Sequence, residues 1–286
     1  MLFCISNACK CSDYFCKTWP ENFSFKEAPI TFLPGIINFS EAWCRAESFV
    51  FKALINIWFE YDFDNIEKNN LIPNFFYAPQ KASHPLAIIA ASEIIFKTIA
   101  AEAISKKTLA HLLYCLQQLP EGGWVSQIGK MFARNEESLR VFIQQIPKNG
   151  IKNYLEKIGY NYACDNKLEK LLEDCYTLAD QVDLDIDVSN ITGDTIGLEC
   201  SFNEMQTALD FLEYLFLNGH CTQEKYKALI VYLKSLKVNY TEEYYPFLSH
   251  FKIVYHPLKP FKTKAYLGFA HKSAASKIIR TKNLKH

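Results

Sequence analysis

Between residues 182 and 202 apolar and polar side chains alternate with a period of two, a pattern an amphipathic helix cannot carry. Val182, Leu184, Ile186 and Val188 are interleaved with Asp183, Asp185 and Asp187. After the turn-rich stretch 189–194, Ile196, Leu198, Cys200 and Phe202 alternate with Gly197, Glu199 and Ser201. Successive side chains on a strand point to opposite faces. The stretch therefore predicts two strands, each apolar on one face and polar on the other.

The same period returns near the end of the chain. In 250–256, His250, Lys252 and His256 share one phase and Phe251, Ile253 and Tyr255 the other. In 262–270, Lys262, Lys264 and Tyr266 stand against Ala265, Leu267 and Phe269. Pro257 and Pro260 lie between the runs, and proline lacks the N–H that a central ladder needs, so the two runs predict a hairpin. Further upstream, 124–134 is an extended candidate, and in 138–144 Leu139, Val141 and Ile143 alternate with Arg140, Phe142 and Gln144.

Helical spacing fills the intervals. Asn149-Gly150 opens one helical stretch, 167–178 carries another, and Asn203 is placed to cap a third that ends at Asn218-Gly219. A fourth follows over 222–236. The segment 120–271 thus predicts an α+β domain, an antiparallel sheet or barrel built from repeated ββα units with helices on its outer face. Residues 1–119 read as a mainly helical portion. Ser40-Glu41 looks like a helix start, with Trp43, Ala46, Val50, Leu54, Ile57 and Trp58 on a helical stripe through Tyr61. A helical region spans 83–118, and 73–79, held between two prolines, is the single strand candidate of this portion. Residues 272–286 form a basic tail with Lys272, Lys277, Arg280, Lys282 and Lys285 and no acid.

Composition narrows the class. Hydrophobic residues make up 49% of the 286, which suits a packed core and argues against disorder. Lys+Arg and Asp+Glu both number 31, so net charge offers no general attraction to nucleic acid. The most hydrophobic region, 85–103, is broken by Glu93 and Lys97, and no membrane span is expected. The N-terminus shows no secretory signal, so a cytoplasmic setting is expected and the ten cysteines are read as mostly free thiols. Cys4, Cys9, Cys11 and Cys16 crowd the start, but their spacing lacks the paired knuckles of structural zinc sites. The other six cysteines are expected in apolar surroundings.

The polar faces hold the candidate chemistry: Arg140, Asp183, Asp185, Asp187, Glu199, His250, Lys252, Lys264 and Tyr266. Two readings stand open. The face is solvated, or it lines a polar lumen in which acidic and basic strands face each other. The row Asp183, Asp185, Asp187 could gather magnesium, which favours carboxylates together with phosphate, or pair with lysines on neighbouring strands. Lys252 and Lys264 at matching phases of adjacent strands would favour an anion between them. No nucleophile elbow, Walker loop or dinucleotide fingerprint is present. His84 and His111 stand alone and read as structural.

Strand pairs separated by helices, with Lys264-Ala265-Tyr266 projecting lysine and tyrosine from one strand face, resemble the αββα barrel of the ABBA aromatic prenyltransferases. The resemblance covers 120–271. It implies that Arg140, Lys252, Lys264 and Tyr266, with His250 beside them, hold an allyl diphosphate, and that Glu199 or Asp185 orients an aromatic or peptide acceptor. One strand candidate before residue 120 is fewer than a closed barrel requires. The competing class is a non-catalytic accessory protein that binds a peptide or an anionic small molecule on a charged sheet face.

Overall fold

The computed structural model describes residues 2–6, 32–60, 74–81, 83–100, 103–132, 137–235 and 244–271. The basic tail and Cys9, Cys11 and Cys16 lie outside them. Nine strands and eight helices occur among the described residues. In chain order they are β1 (Leu2–Ser6), α1 (Phe32–Cys44), α2 (Phe49–Ala53), β2 (Leu54–Glu60), β3 (Asn74–Pro79), α3 (Pro85–Ala100), α4 (Lys106–Gln117), β4 (Trp124–Lys130) and β5 (Leu139–Gln144). Then come α5 (Gly150–Lys157), α6 (Asn166–Leu178), β6 (Gln181–Val188), β7 (Thr192–Ser201), α7 (Met205–Leu217), α8 (Gln223–Ser235), β8 (Tyr244–Tyr255) and β9 (Lys262–His271).

The strands are hydrogen-bonded in chain order, β1 to β9, in one sheet, and the protein is α+β. The pairs β1–β2, β2–β3, β3–β4, β4–β5, β7–β8 and β8–β9 run antiparallel. β6 and β7 are joined by three residues, 189–191, too short a link for a parallel crossover. All five strands expected from the alternation between 138 and 270 belong to this sheet.

Before residue 120, helices α1 to α4 cover 46 of the described residues and strands β1, β2 and β3 cover 18, so three strands stand where one, 73–79, was expected. The stripe read as one helix from Ser40 to Tyr61 divides into the end of α1, the single turn of α2, and β2. Leu54-Ile55-Asn56-Ile57-Trp58-Phe59 is rich in β-branched and aromatic residues, and its pairing with β1 and β3 decides the ambiguity that periodicity leaves open. Ser40 lies inside α1 rather than at its start, its hydroxyl donating back to the Ile36 carbonyl at 2.8 Å. Asn203 does not cap α7; Glu204 stands at that position without a side-chain cap bond. The C-terminal end follows the sequence: Gly219 has φ +72, and His220 N–H bonds back to the Leu215 carbonyl at 2.8 Å.

The chain divides into two compact units, one of residues 1–144, 157–160 and 186–193, the other of 145–156, 161–185 and 194–286. In the first, Ile57, Phe59, Phe75, Tyr77, Ile128, Leu139, Val141 and Ile143 form a buried sheet face. Phe39 of α1 and Phe96 of α3 meet Phe75 edge-on at 5.1 and 6.4 Å, and the Tyr77 hydroxyl bonds Ser92 at 2.6 Å. In the second, Val182, Leu184, Leu198, Cys200, Phe251 and Ile253 are buried, and Phe211 of α7 stacks on Phe251 at 5.8 Å. Burial of each such apolar side chain stabilises by roughly 1.5–3 kcal/mol. No helix among the described residues is long and apolar enough to cross a membrane. Of the six free cysteines described, Cys115, Cys175 and Cys200 are in the core, whereas Cys164 is exposed and Cys44 and Cys221 are half-buried. The expectation that all six sit in apolar surroundings therefore holds for three.

Candidate functional site

The opposite sheet face of the second unit gathers the charges. Register sets them in rows across the strands: Glu199 lies against Lys252, Lys252 against Lys264, and His250 against Tyr266. An extra residue at Ser249, where the β8–β9 pairing shifts between Leu248 and His250, brings His250 into that last pair. Asp183, Asp185 and Lys252 are only 5, 4 and 4% exposed, which is not the burial of a solvated face.

Each buried charge is committed. Lys252 Nζ forms an ion pair with Asp185 Oδ2 and lies 3.5 Å from Glu199 Oε1. His250 Nε2 is 3.6 Å from the same Glu199 oxygen, and its Nδ1 is 3.0 Å from Ser249 Oγ. The imidazole stacks on the Tyr266 ring, centroids 4.4 Å apart at 19°. Gln181 Nε2 donates to both oxygens of Asp183 at 2.7 and 2.9 Å. Burial pushes the Glu199 carboxyl up to about 7; Lys252 opposes that rise, while Asp185 and Asp183 add to it. A carboxyl poised near neutrality can both take and give a proton at physiological pH.

The aspartate row does not converge. Asp183 faces Gln181 and Asp185 faces Lys252. In the first unit, Arg140 Nε and Nη2 hold Asp187 Oδ1 and Oδ2, both at 2.9 Å, a bidentate pair. Carboxylates two residues apart on a strand are spaced by roughly 7 Å, too far to share a magnesium ion whose ligands sit at about 2.1 Å. Among the described residues no group of three or more His, Cys, Asp or Glu could hold a metal ion. The magnesium expectation for Asp183, Asp185 and Asp187 is replaced by side-chain pairing.

Of the residues expected to act together, the structure joins Asp185, Glu199, Lys252, His250 and Tyr266. Lys264 pairs with Lys252 through the backbone register, yet its side chain is exposed while that of Lys252 turns into the carboxylates. The anion expected between the two lysines is met, at Lys252, by the protein's own acids. Arg140 belongs to the other unit and is held by Asp187. Near Arg140, Phe76 and Phe142 pack edge-on at 5.8 Å, Phe76 lying over Gly129. Gln181, Ser249 and Gly197 were not singled out from the sequence. The available signal was Gly197, a glycine inside an otherwise regular alternation, which marks close approach by another group.

His111, the lone histidine of α4, lies within reach of two polar side chains. Its Nε2 is 3.1 Å from Thr192 Oγ1 and 3.7 Å from Cys115 Sγ. Burial pushes the Cys115 thiol up to about 12, so the pair offers no thiolate nucleophile. The chain matches no protein-family model, no curated protein and no solved structure.

Proposed function

We propose that the protein is a transferase of the αββα kind in which Glu199 takes the proton released by the acceptor. The observation that carries this reading is the Glu199 carboxyl itself, raised to about 7 and set between Lys252 and His250. Strand pairs separated by helix pairs, in a sheet ordered as the chain runs, support the architecture. In the reaction the allylic C–O bond of an allyl diphosphate breaks, its electron pair leaving with the diphosphate. An aromatic ring or peptide side chain bonds to the allylic carbon, and the proton it loses passes to the Glu199 carboxylate. Exposed Lys264, with Tyr266 one step along the same strand face, meets the leaving charge. His250, stacked on Tyr266, orients Glu199.

One observation favours a second reading, non-catalytic binding of a peptide or small ligand. Lys252 and Arg140, two of the cations needed for a diphosphate, already hold carboxylates. Calorimetric titration with dimethylallyl diphosphate separates the readings. The transferase reading expects binding that Lys264→Met weakens by about 1.5–3 kcal/mol, the contribution of one charged hydrogen bond. It also expects prenylation of a tyrosine- or tryptophan-containing peptide that is lost in Glu199→Gln. Absence of diphosphate binding at millimolar concentration leaves the binding-module reading in its place.

A further inference from the structure

On the face that carries Glu199, β7 has a glycine one step away, Gly197, whose neighbour across the ladder is Val254. The backbone does not require it. Gly122, Gly159 and Gly219 have positive φ, and Gly197 does not, so its conformation is open to any residue. Space requires it. A Cβ at Gly197 would overlap Asp185 Oδ2 and would lie 2.6 Å from both Asp185 Cγ and Lys252 Cε. The volume a methyl group would fill is occupied by the meeting point of the buried ion pair.

We propose that Gly197 is a positioning residue of this site: its missing side chain is the room in which Asp185 and Lys252 close on each other, and that closure fixes how Lys252 divides between Asp185 and Glu199. The inference deepens the reading of Glu199 as a proton acceptor and rests on it. Glu199 is faced by Asp183 and Asp185 from β6, by Lys252 and His250 from β8, and through the Lys252 register by Lys264 of β9. The one ammonium is shared between two acids. While Asp185 holds it, Glu199 receives only part of its attraction, at 3.5 Å, and keeps a high proton affinity. A methyl group at 197 drives the Asp185 carboxylate and the Lys252 stem apart. The ammonium, buried and unable to reach water cheaply, then turns to Glu199. The proton affinity of Glu199 falls.

The test is a carboxyl titration by carbon-13 NMR of the full chain labelled at glutamate, with the Glu199 signal assigned by its loss in Glu199→Gln. Gly197→Ala is expected to lower the Glu199 midpoint by about one pH unit, a tenfold loss of proton affinity. Asp185→Asn removes the competing acid without adding volume and is expected to move the midpoint the same way. It decides the matter should Gly197→Ala fail to fold. An unchanged or raised midpoint in the folded Ala variant, or in the Asn variant where Ala does not fold, overturns the role of Gly197. A wild-type Glu199 that titrates in the ordinary carboxylate range overturns the proposed function instead, so the two failures are told apart.

Discussion

Glu199 lies beside an ammonium yet holds its proton longer than an exposed glutamate. Desolvation outweighs a partner 3.5 Å away that is shared with another acid. The consequence for stability has a definite sign. A carboxyl whose folded-state proton affinity exceeds its unfolded one favours the fold while protonated. That contribution is present below the unfolded value near 4.3 and is lost as pH rises to about 7. Glu199→Gln keeps the shape and removes the ionisation. The variant is expected to exceed wild type in unfolding free energy by on the order of 3 kcal/mol at pH 8, the gap closing toward pH 4. Urea unfolding at the two pH values checks this, and equal differences at both would refute the assignment of the buried charge.

At the scale of elements, the sheet depends on where it lacks side chains. In the first unit Gly129 of β4 pairs with Phe76 of β3 and Arg140 of β5. A Cβ at Gly129 would overlap two ring atoms of Phe76 and lie 2.7 Å from a third. Phe76 is buried and packed edge-on against Phe142, so the ring has little freedom to move aside. Gly129→Ala is expected to destabilise by about 1–3 kcal/mol, the usual cost of forcing extra volume into a filled site. The reduced denaturation midpoint should come with an unchanged slope, since the surface exposed on unfolding stays the same. A midpoint equal to that of wild type would mean the ring turns away without cost.

For the molecule as a whole, Lys+Arg and Asp+Glu balance at 31 each, giving a formal net charge of +0 at pH 7. With no net repulsion between copies, colloidal stability is lowest there. Solubility is expected to pass through a minimum near neutral pH and to rise on either side within the folded range, as turbidity against pH would record. A minimum displaced by more than about one pH unit would show that buried groups carry charges other than their formal ones. Glu199, whose carboxyl burial pushes up to about 7, is the first to suspect.

By itself the sequence determined the strands from 139 to 270, because the period of two in those segments admits no helix and the prolines at 257 and 260 close the last hairpin. It also determined that acids and cations share one face of those strands. Before residue 120 the same rules found β3 and the helices within 83–118 but failed at β1 and β2. Leu54–Glu60 is apolar on consecutive positions, so a helical stripe and a two-faced strand were equally compatible with it, and only pairing with β1 and β3 made it a strand. The tertiary structure alone decided who neutralises whom. Asp183, Asp185 and Asp187 look identical in sequence, yet they meet an amide, an ammonium and a guanidinium, because each partner comes from a side chain or strand whose register local pattern does not encode. Lys252 and Lys264 likewise share a phase and a backbone pairing, and burial separates them into a committed cation and an exposed one.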